Sequence, residues 1–186
     1  PEGLAFTYGQ GGFFANAALT WLESDSKKSN SRLAYGVQSG FDTDVGDASL
    51  RVGAGYFHAG VEGQAVYHGD PDDFFGNSYA CVDITTLSGC TYSNDYREIE
   101  VFAHLKTQLD SRQLVLFADY VRNTDANRFD TGWAVGAKLG NTSSGWQLGY
   151  TYKDLEADAV LGLLTDSDFG GGGTDARGHI LKGTVA

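Results

Sequence analysis

Residues 146–153 read Trp146-Gln147-Leu148-Gly149-Tyr150-Thr151-Tyr152-Lys153. Trp146, Leu148, Tyr150 and Tyr152 fall on one side of an extended chain, and Gln147, Gly149, Thr151 and Lys153 on the other. A strand sends successive side chains to opposite faces, so this stretch predicts a β-strand with one apolar and one polar face. The same period of two returns along the chain. Leu50, Val52, Ala54 and Tyr56 alternate with Arg51, Gly53, Gly55 and Phe57; Ile99, Val101, Ala103 and Leu105 alternate with Glu98, Glu100, Phe102, His104 and Lys106. Leu114, Leu116, Ala118 and Tyr120 alternate with Gln113, Val115, Phe117 and Asp119, and Trp133, Val135, Ala137 and Leu139 with Gly132, Ala134, Gly136 and Lys138. Leu33, Tyr35 and Val37 continue the series, Phe13 to Trp21 make a weaker case, Leu4, Phe6 and Tyr8 begin it, and a last strand runs from about Arg177 to Ala186.

Each segment is about 9 to 12 residues long, enough for a tilted strand to cross a bilayer and longer than the soluble mode of about 5 to 6. Trp21, Trp133, Trp146 and Tyr152 stand near segment ends, where a membrane-interface girdle would place them. The connections alternate in length. Short ones lie near Gln10–Gly12, Thr43–Gly46, Asp110–Arg112 and Asn141–Gly145, and longer ones near Glu23–Ser31, Ala59–Asn94, Thr124–Asp130 and Asp158–Ala176. Short turns on one rim and long loops on the other form the arrangement of an outer-membrane barrel. The expected fold is therefore all-β, an antiparallel up-and-down transmembrane barrel occupying residues 1–186 as one domain. About nine strands are counted, and single-chain bacterial barrels close with an even number, so the chain reads as a mature or partial portion of a larger barrel.

Composition bounds the function. Of 186 residues, 26 are Gly, 10 Tyr, 11 Phe and 3 Trp, with only 2 Pro and no Met, which suits twisted strands and tight turns. Mean hydropathy is slightly negative, and no apolar run approaches the roughly 18 residues that a membrane helix needs. A barrel needs none, because only alternate residues touch lipid. A net charge of −11 argues against nucleic acid as a partner.

The polar face supplies the candidate pore lining: Arg51, Glu98, Glu100, His104, Lys106, Asp119, Lys138 and Lys153, with Gln38, Gln113, Gln147 and Thr151 between them. The opposite row supplies the candidate lipid-facing set: Leu50, Val52, Ile99, Val101, Leu105, Leu114, Leu116, Val135, Leu139, Trp146, Leu148 and Tyr150. A Lys or Arg on the lipid side near the midplane would cost about 2 to 4 kcal/mol, which sets the face that points inward. The alternative is the solvated face of an ordinary antiparallel sheet.

Cys81 and Cys90 have eight residues between them, which matches neither a CxxC redox nor a zinc pattern. A local disulfide in an oxidising compartment is the economical reading, and two free thiols are the alternative. The segment Asp154–Asp175 gathers acids around Gly170–Gly173, with Asp166, Asp168 and Asp175 as weak candidates for a hard cation such as calcium. The spacing fits neither an EF-hand nor a glycine-aspartate β-roll repeat. A plain solvated loop is the leading reading, and a loop folded into the lumen as an acidic, cation-favouring constriction is the alternative. His58, His68, His104 and His179 show no metal spacing, and no G-x-S-x-G elbow or phosphate loop occurs, so neither an enzyme nor a cofactor is expected.

Several stretches resemble one family. L-E-A-D-A-V-L-G-L-L-T-D-S-D-F-G-G-G-G-T-D-A-R-G-H (Leu155–His179) is similar to a segment found towards the C-terminal end of the bacterial "putative porin" family. F-A-D-Y-V-R-N-T (Phe117–Thr124), D-T-G-W-A-V-G-A-K-L-G (Asp130–Gly140), Trp146–Asp154 and Phe74–Ser78 resemble it too. The resemblance runs from roughly Leu50 to Ala186. It implies an outer-membrane barrel of about sixteen strands with no catalytic activity, its long loops extracellular. The function expected is passive diffusion of small hydrophilic solutes or ions, with outer-membrane lipid as surroundings and a homotrimer as the assembly. Two other readings stand beside it: a barrel whose long loops bind a partner, and a secreted β-sandwich that binds carbohydrate.

Overall fold

The computed structural model describes residues 3–22, 32–67, 73–141, 145–167 and 169–185. Within them the chain is a meander. Strands β1 (Gly3–Gln10), β2 (Phe13–Trp21), β3 (Leu33–Val45) and β4 (Ala48–Ala59) lead into a long connection that carries a two-stranded hairpin, β5 (Tyr79–Ala80) and β6 (Thr91–Tyr92). Five more follow: β7 (Tyr96–Leu109), β8 (Arg112–Asn123), β9 (Thr131–Asn141), β10 (Trp146–Leu155) and β11 (Ala176–Val185). Nine of these make one sheet in the order β1-β2-β3-β4-β7-β8-β9-β10-β11, every pair antiparallel. Strand lengths run from 8 to 14 residues. The sheet is open, with β1 and β11 at its edges.

Register turns the alternation of single strands into two continuous surfaces. Leu148 lies opposite Leu139, which lies opposite Leu114; Tyr150, Ala137, Leu116, Leu105 and Leu50 form the next cross-strand row. A one-residue slip anywhere would send one strand's apolar set to the polar face, so the shared pattern holds the register. The short connections are tight turns. Gly11 and Gly12 both take positive φ (58° and 84°), the geometry whose twist matches the flanking strands.

The connections on the other rim pack on one another. Leu22, Ala34, Ala59, Val61, Phe74, Cys90, Tyr92, Tyr96 and Leu161 form the buried cluster there. Phe74 stacks on Tyr79 with ring centroids 4.6 Å apart and meets Tyr92 edge-on at 4.8 Å. Burial holds the Tyr92 phenol above its ordinary range, with Tyr67 and Asp73 adding to the effect. The apolar core thus sits under the loops, beyond the strand ends, and not between two layers of sheet. The expected long connection Glu23–Ser31 lies outside the described residues.

Candidate functional site

The register places all eight residues read as pore lining on one face. Glu100 is opposite Gly55, which is opposite Gln38, which is opposite Asn16. Arg51, His104 and Phe117 share a row, as do Lys106, Val115 and Lys138. The twelve residues read as lipid-facing all lie on the opposite face, which carries exposed apolar side chains on eight of the nine strands, the outward residues of β2 being half-buried: Leu148 is 56% exposed and Val101 50%. Aromatic contacts lie toward both ends of this face. Tyr8, Phe13 and Phe41 form a chain at 6.3 and 5.4 Å near the short turns, and Trp133 meets Tyr152 at 5.2 Å near the long loops.

The polar face is organised by charge. Toward the short turns Arg51 Nε donates to Asp42 Oδ1 at 2.7 Å and its guanidinium lies 4.7 Å over the Phe14 ring. His104 Nε2 lies 3.2 Å from Asp119 Oδ1, and Lys138 sits 5.6 Å over Phe117. Toward the long loops the carboxylates dominate. Gln38 Nε2 donates to Glu100 Oε1 at 2.7 Å, and Asn16 Nδ2 donates to Gln38 Oε1 at 3.3 Å, making a polar ladder across four strands. Gly55 makes room for it, since a Cβ there would collide with the Glu100 carboxylate. Among the described residues neither Glu98 nor Glu100 has a Lys, Arg or His partner in an ion pair.

The connection after β10 lies over this face, which bears on the two readings of Asp154–Asp175. Leu161 N donates to Glu98 Oε1 at 3.0 Å, and Val160, Leu161, Leu164 and Thr165 close a cavity of about 520 Å³ against Thr7, Asn16, Gln38, Phe57, Glu98 and Glu100. A segment leaving the β10 end thus reaches side chains of β1 to β3, so the polar face is the concave one. Lys153 is covered as well, its ammonium 5.0 Å over the Phe169 ring. Two acids of the connection serve the fold. Asp158 Oδ1 accepts from Ser78 N at 2.9 Å and from the Tyr96 hydroxyl at 3.3 Å, and Glu156 Oε2 accepts from the Thr131 amide and hydroxyl at 2.9 and 2.6 Å. Among the described residues no three Asp, Glu, His or Cys side chains converge as a metal site would require. Asp168 and His68 lie outside the described residues. Gly170 to Gly173 all hold positive φ, 63° to 94°, a path that only a run of glycines follows without strain.

Cys81 and Cys90 are joined by a disulfide. It closes the β5–β6 hairpin below a tip where Val82 is 91% exposed. In that tip the Thr86 hydroxyl and the Thr85 amide hold the Asp83 carboxyl below the ordinary carboxylate range. Sequence reasoning missed Asn77, Asn123 and Thr174, polar residues buried where the loops meet. No local signal marks them. Asn16 was within reach, because the weak alternation of Phe13–Trp21 already puts it on the polar side.

No curated protein and no solved structure matches the chain. Residues 76–186 match the family described as "Putative porin". The matched span covers more than half of the chain, including the glycine-rich segment and the strands that follow the hairpin, though it starts later than the resemblance read from Leu50. A nine-stranded antiparallel meander with one apolar exposed face and one polar concave face is what such a protein requires, and the chain belongs to the "Putative porin" family.

Proposed function

We propose that the chain forms part of the wall of an outer-membrane channel through which small hydrophilic solutes and ions diffuse passively, with cations favoured. One observation carries the reading: one face of the nine-stranded sheet is apolar throughout, with large exposed hydrophobic side chains on eight of its strands and half-buried ones on β2. Soluble proteins seldom expose apolar patches beyond a few hundred Å², and a water-soluble sheet covers such a face with a second layer. Lipid removes the need for that layer. The residues from Leu50 to Tyr150 on this face then sit in hydrocarbon, while Arg51, His104, Lys106, Asp119 and Lys138 meet water on the inside, and the long loops face the outside of the cell. Hydrocarbon tolerates no open edge, so β1 and β11 are paired in the membrane by further strands of a closed barrel. Assembly as a homotrimer belongs to the same reading, which assigns the chain no catalysis.

The preference for cations follows from Glu98 and Glu100, two carboxylates that line the cavity under Val160–Thr165 and have no ion-pair partner among the described residues. Protein purified in detergent and added to a planar bilayer is expected to give stepwise conductance, with a reversal potential under a KCl gradient that reports K⁺ over Cl⁻. Absence of steps removes the channel, and anion preference removes the role given to the two glutamates.

A second reading rests on the hairpin tip. Val82 and Ile84 are exposed apolar residues on a disulfide-closed loop, a shape suited to a protein partner. A folded barrel without conductance, whose binding to a surface partner is lost on Val82→Asp, would favour it.

A further inference from the structure

Resting on the channel reading, we infer that Asn77 sets the width of the passage, by holding Val160–Thr165 across the concave face. Asn77 sits in the connection between β4 and β5, and its side chain is 3% exposed. Its Nδ2 donates to Ala157 O at 2.7 Å, Val160 O at 2.9 Å and Thr174 Oγ1 at 3.2 Å, and its Oδ1 accepts from Gly162 N at 2.8 Å. One amide therefore grips both flanks of the segment that lines the cavity. The partners lie 80 to 97 residues further along the chain, on the far side of β7 to β10. The clamp is thus a strut across the curved sheet. Gly162 allows the close approach, because a side chain there would collide with the Phe75 carbonyl.

The chemistry needs an asparagine. Two donors face carbonyl oxygens and one acceptor faces an N–H, which only a primary amide of this length provides. Asn77→Ala leaves the Val160 carbonyl and the Gly162 amide to find water, while Ala157 O keeps only the Thr174 hydroxyl, so the segment loosens from the lid position. Asn77→Asp keeps the acceptor and loses both donors. The strands are untouched in either case, since Asn77 belongs to none of them.

The test uses protein purified from membranes, with folding followed by circular dichroism. Asn77→Ala is expected to raise single-channel conductance about twofold, as a narrow point widens, and to admit larger neutral sugars in liposome swelling; Asn77→Asp behaves alike. A variant outside the clamp gives the complementary measurement. Leu164 lines the cavity and is 44% exposed. The two native cysteines are bridged, so Leu164→Cys offers a single thiol. A small cationic methanethiosulfonate at that thiol should cut conductance by about half. If wild type conducts but folded Asn77→Ala keeps its conductance and sugar cut-off, Asn77 does not set the width. Fully labelled Leu164→Cys that conducts as before overturns the inference in the same way, and it decides the matter should Asn77→Ala fail to fold. A wild-type protein without any conductance is a different failure, that of the channel reading, and takes this inference with it.

Discussion

Asn123 illustrates how much one buried amide does at the loop rim. It is 0% exposed and ends β8. Its Oδ1 accepts from Arg97 N at 3.0 Å and Asp125 N at 3.1 Å, and its Nδ2 donates to Asp95 O and Asp158 O, both at 3.0 Å. The side chain ties the start of β7, the turn after β8 and the last long loop into one unit. Asn123→Ala leaves two amides and two carbonyls without partners in a dry setting. The expected cost is about 3 kcal/mol, read as a lowered thermal transition of the detergent-solubilised protein. Retention of the wild-type transition would show that water replaces all four bonds. In the sequence Asn123 is only the next-to-last residue of F-A-D-Y-V-R-N-T, and nothing local distinguishes it from a solvated strand terminus.

At the scale of a strand, β10 makes the sharpest comparison. Leu148 and Thr151 are three residues apart on opposite faces, one on the exposed apolar row and the other on the concave polar side. Leu148→Arg should destabilise the folded protein in lipid vesicles by about 2 to 4 kcal/mol, whereas Thr151→Arg should cost little. Urea unfolding from vesicles measures both, and equal costs would sink the assignment of the apolar row to hydrocarbon. The β5–β6 hairpin gives a second comparison. Reduction of Cys81–Cys90 should leave the sheet signal in circular dichroism unchanged, because neither cysteine lies in the nine-stranded sheet. It should also speed proteolysis between residues 82 and 89, the tip the bridge closes. Loss of sheet structure on reduction would mean that the loop core supports the strands more than its position suggests.

For the whole molecule the distribution of charge matters more than the net value of −11. Lys106, Lys138 and Lys182 share one cross-strand band toward the short turns, while Glu98 and Glu100 lie near the loops, beneath Leu161. A solute crossing the concave side would meet the two bands in succession. Glu98→Gln combined with Glu100→Gln should move the reversal potential toward zero, because the uncompensated charge beside the cavity is gone while the Gln38 contact can be kept by an amide. An unchanged K⁺ preference would place the selective charge elsewhere on the wall.

Strand phase, connection lengths and the grouping of Arg51 to Lys153 on one face were legible without coordinates, because alternation is a property of neighbours two apart and repeats along every strand. The family resemblance was legible for the same stretch that carries the glycine run. Curvature, the placement of the Asp158–Thr165 segment over Glu98 and Glu100, and the roles of Asn77, Asn123 and Thr174 were not. These depend on groups such as Asn77 and Gly162, 85 positions apart, whose meeting is fixed by how nine strands bend and not by any local pattern. A single strand can state which way a side chain points; only the assembled sheet decides what stands in front of it.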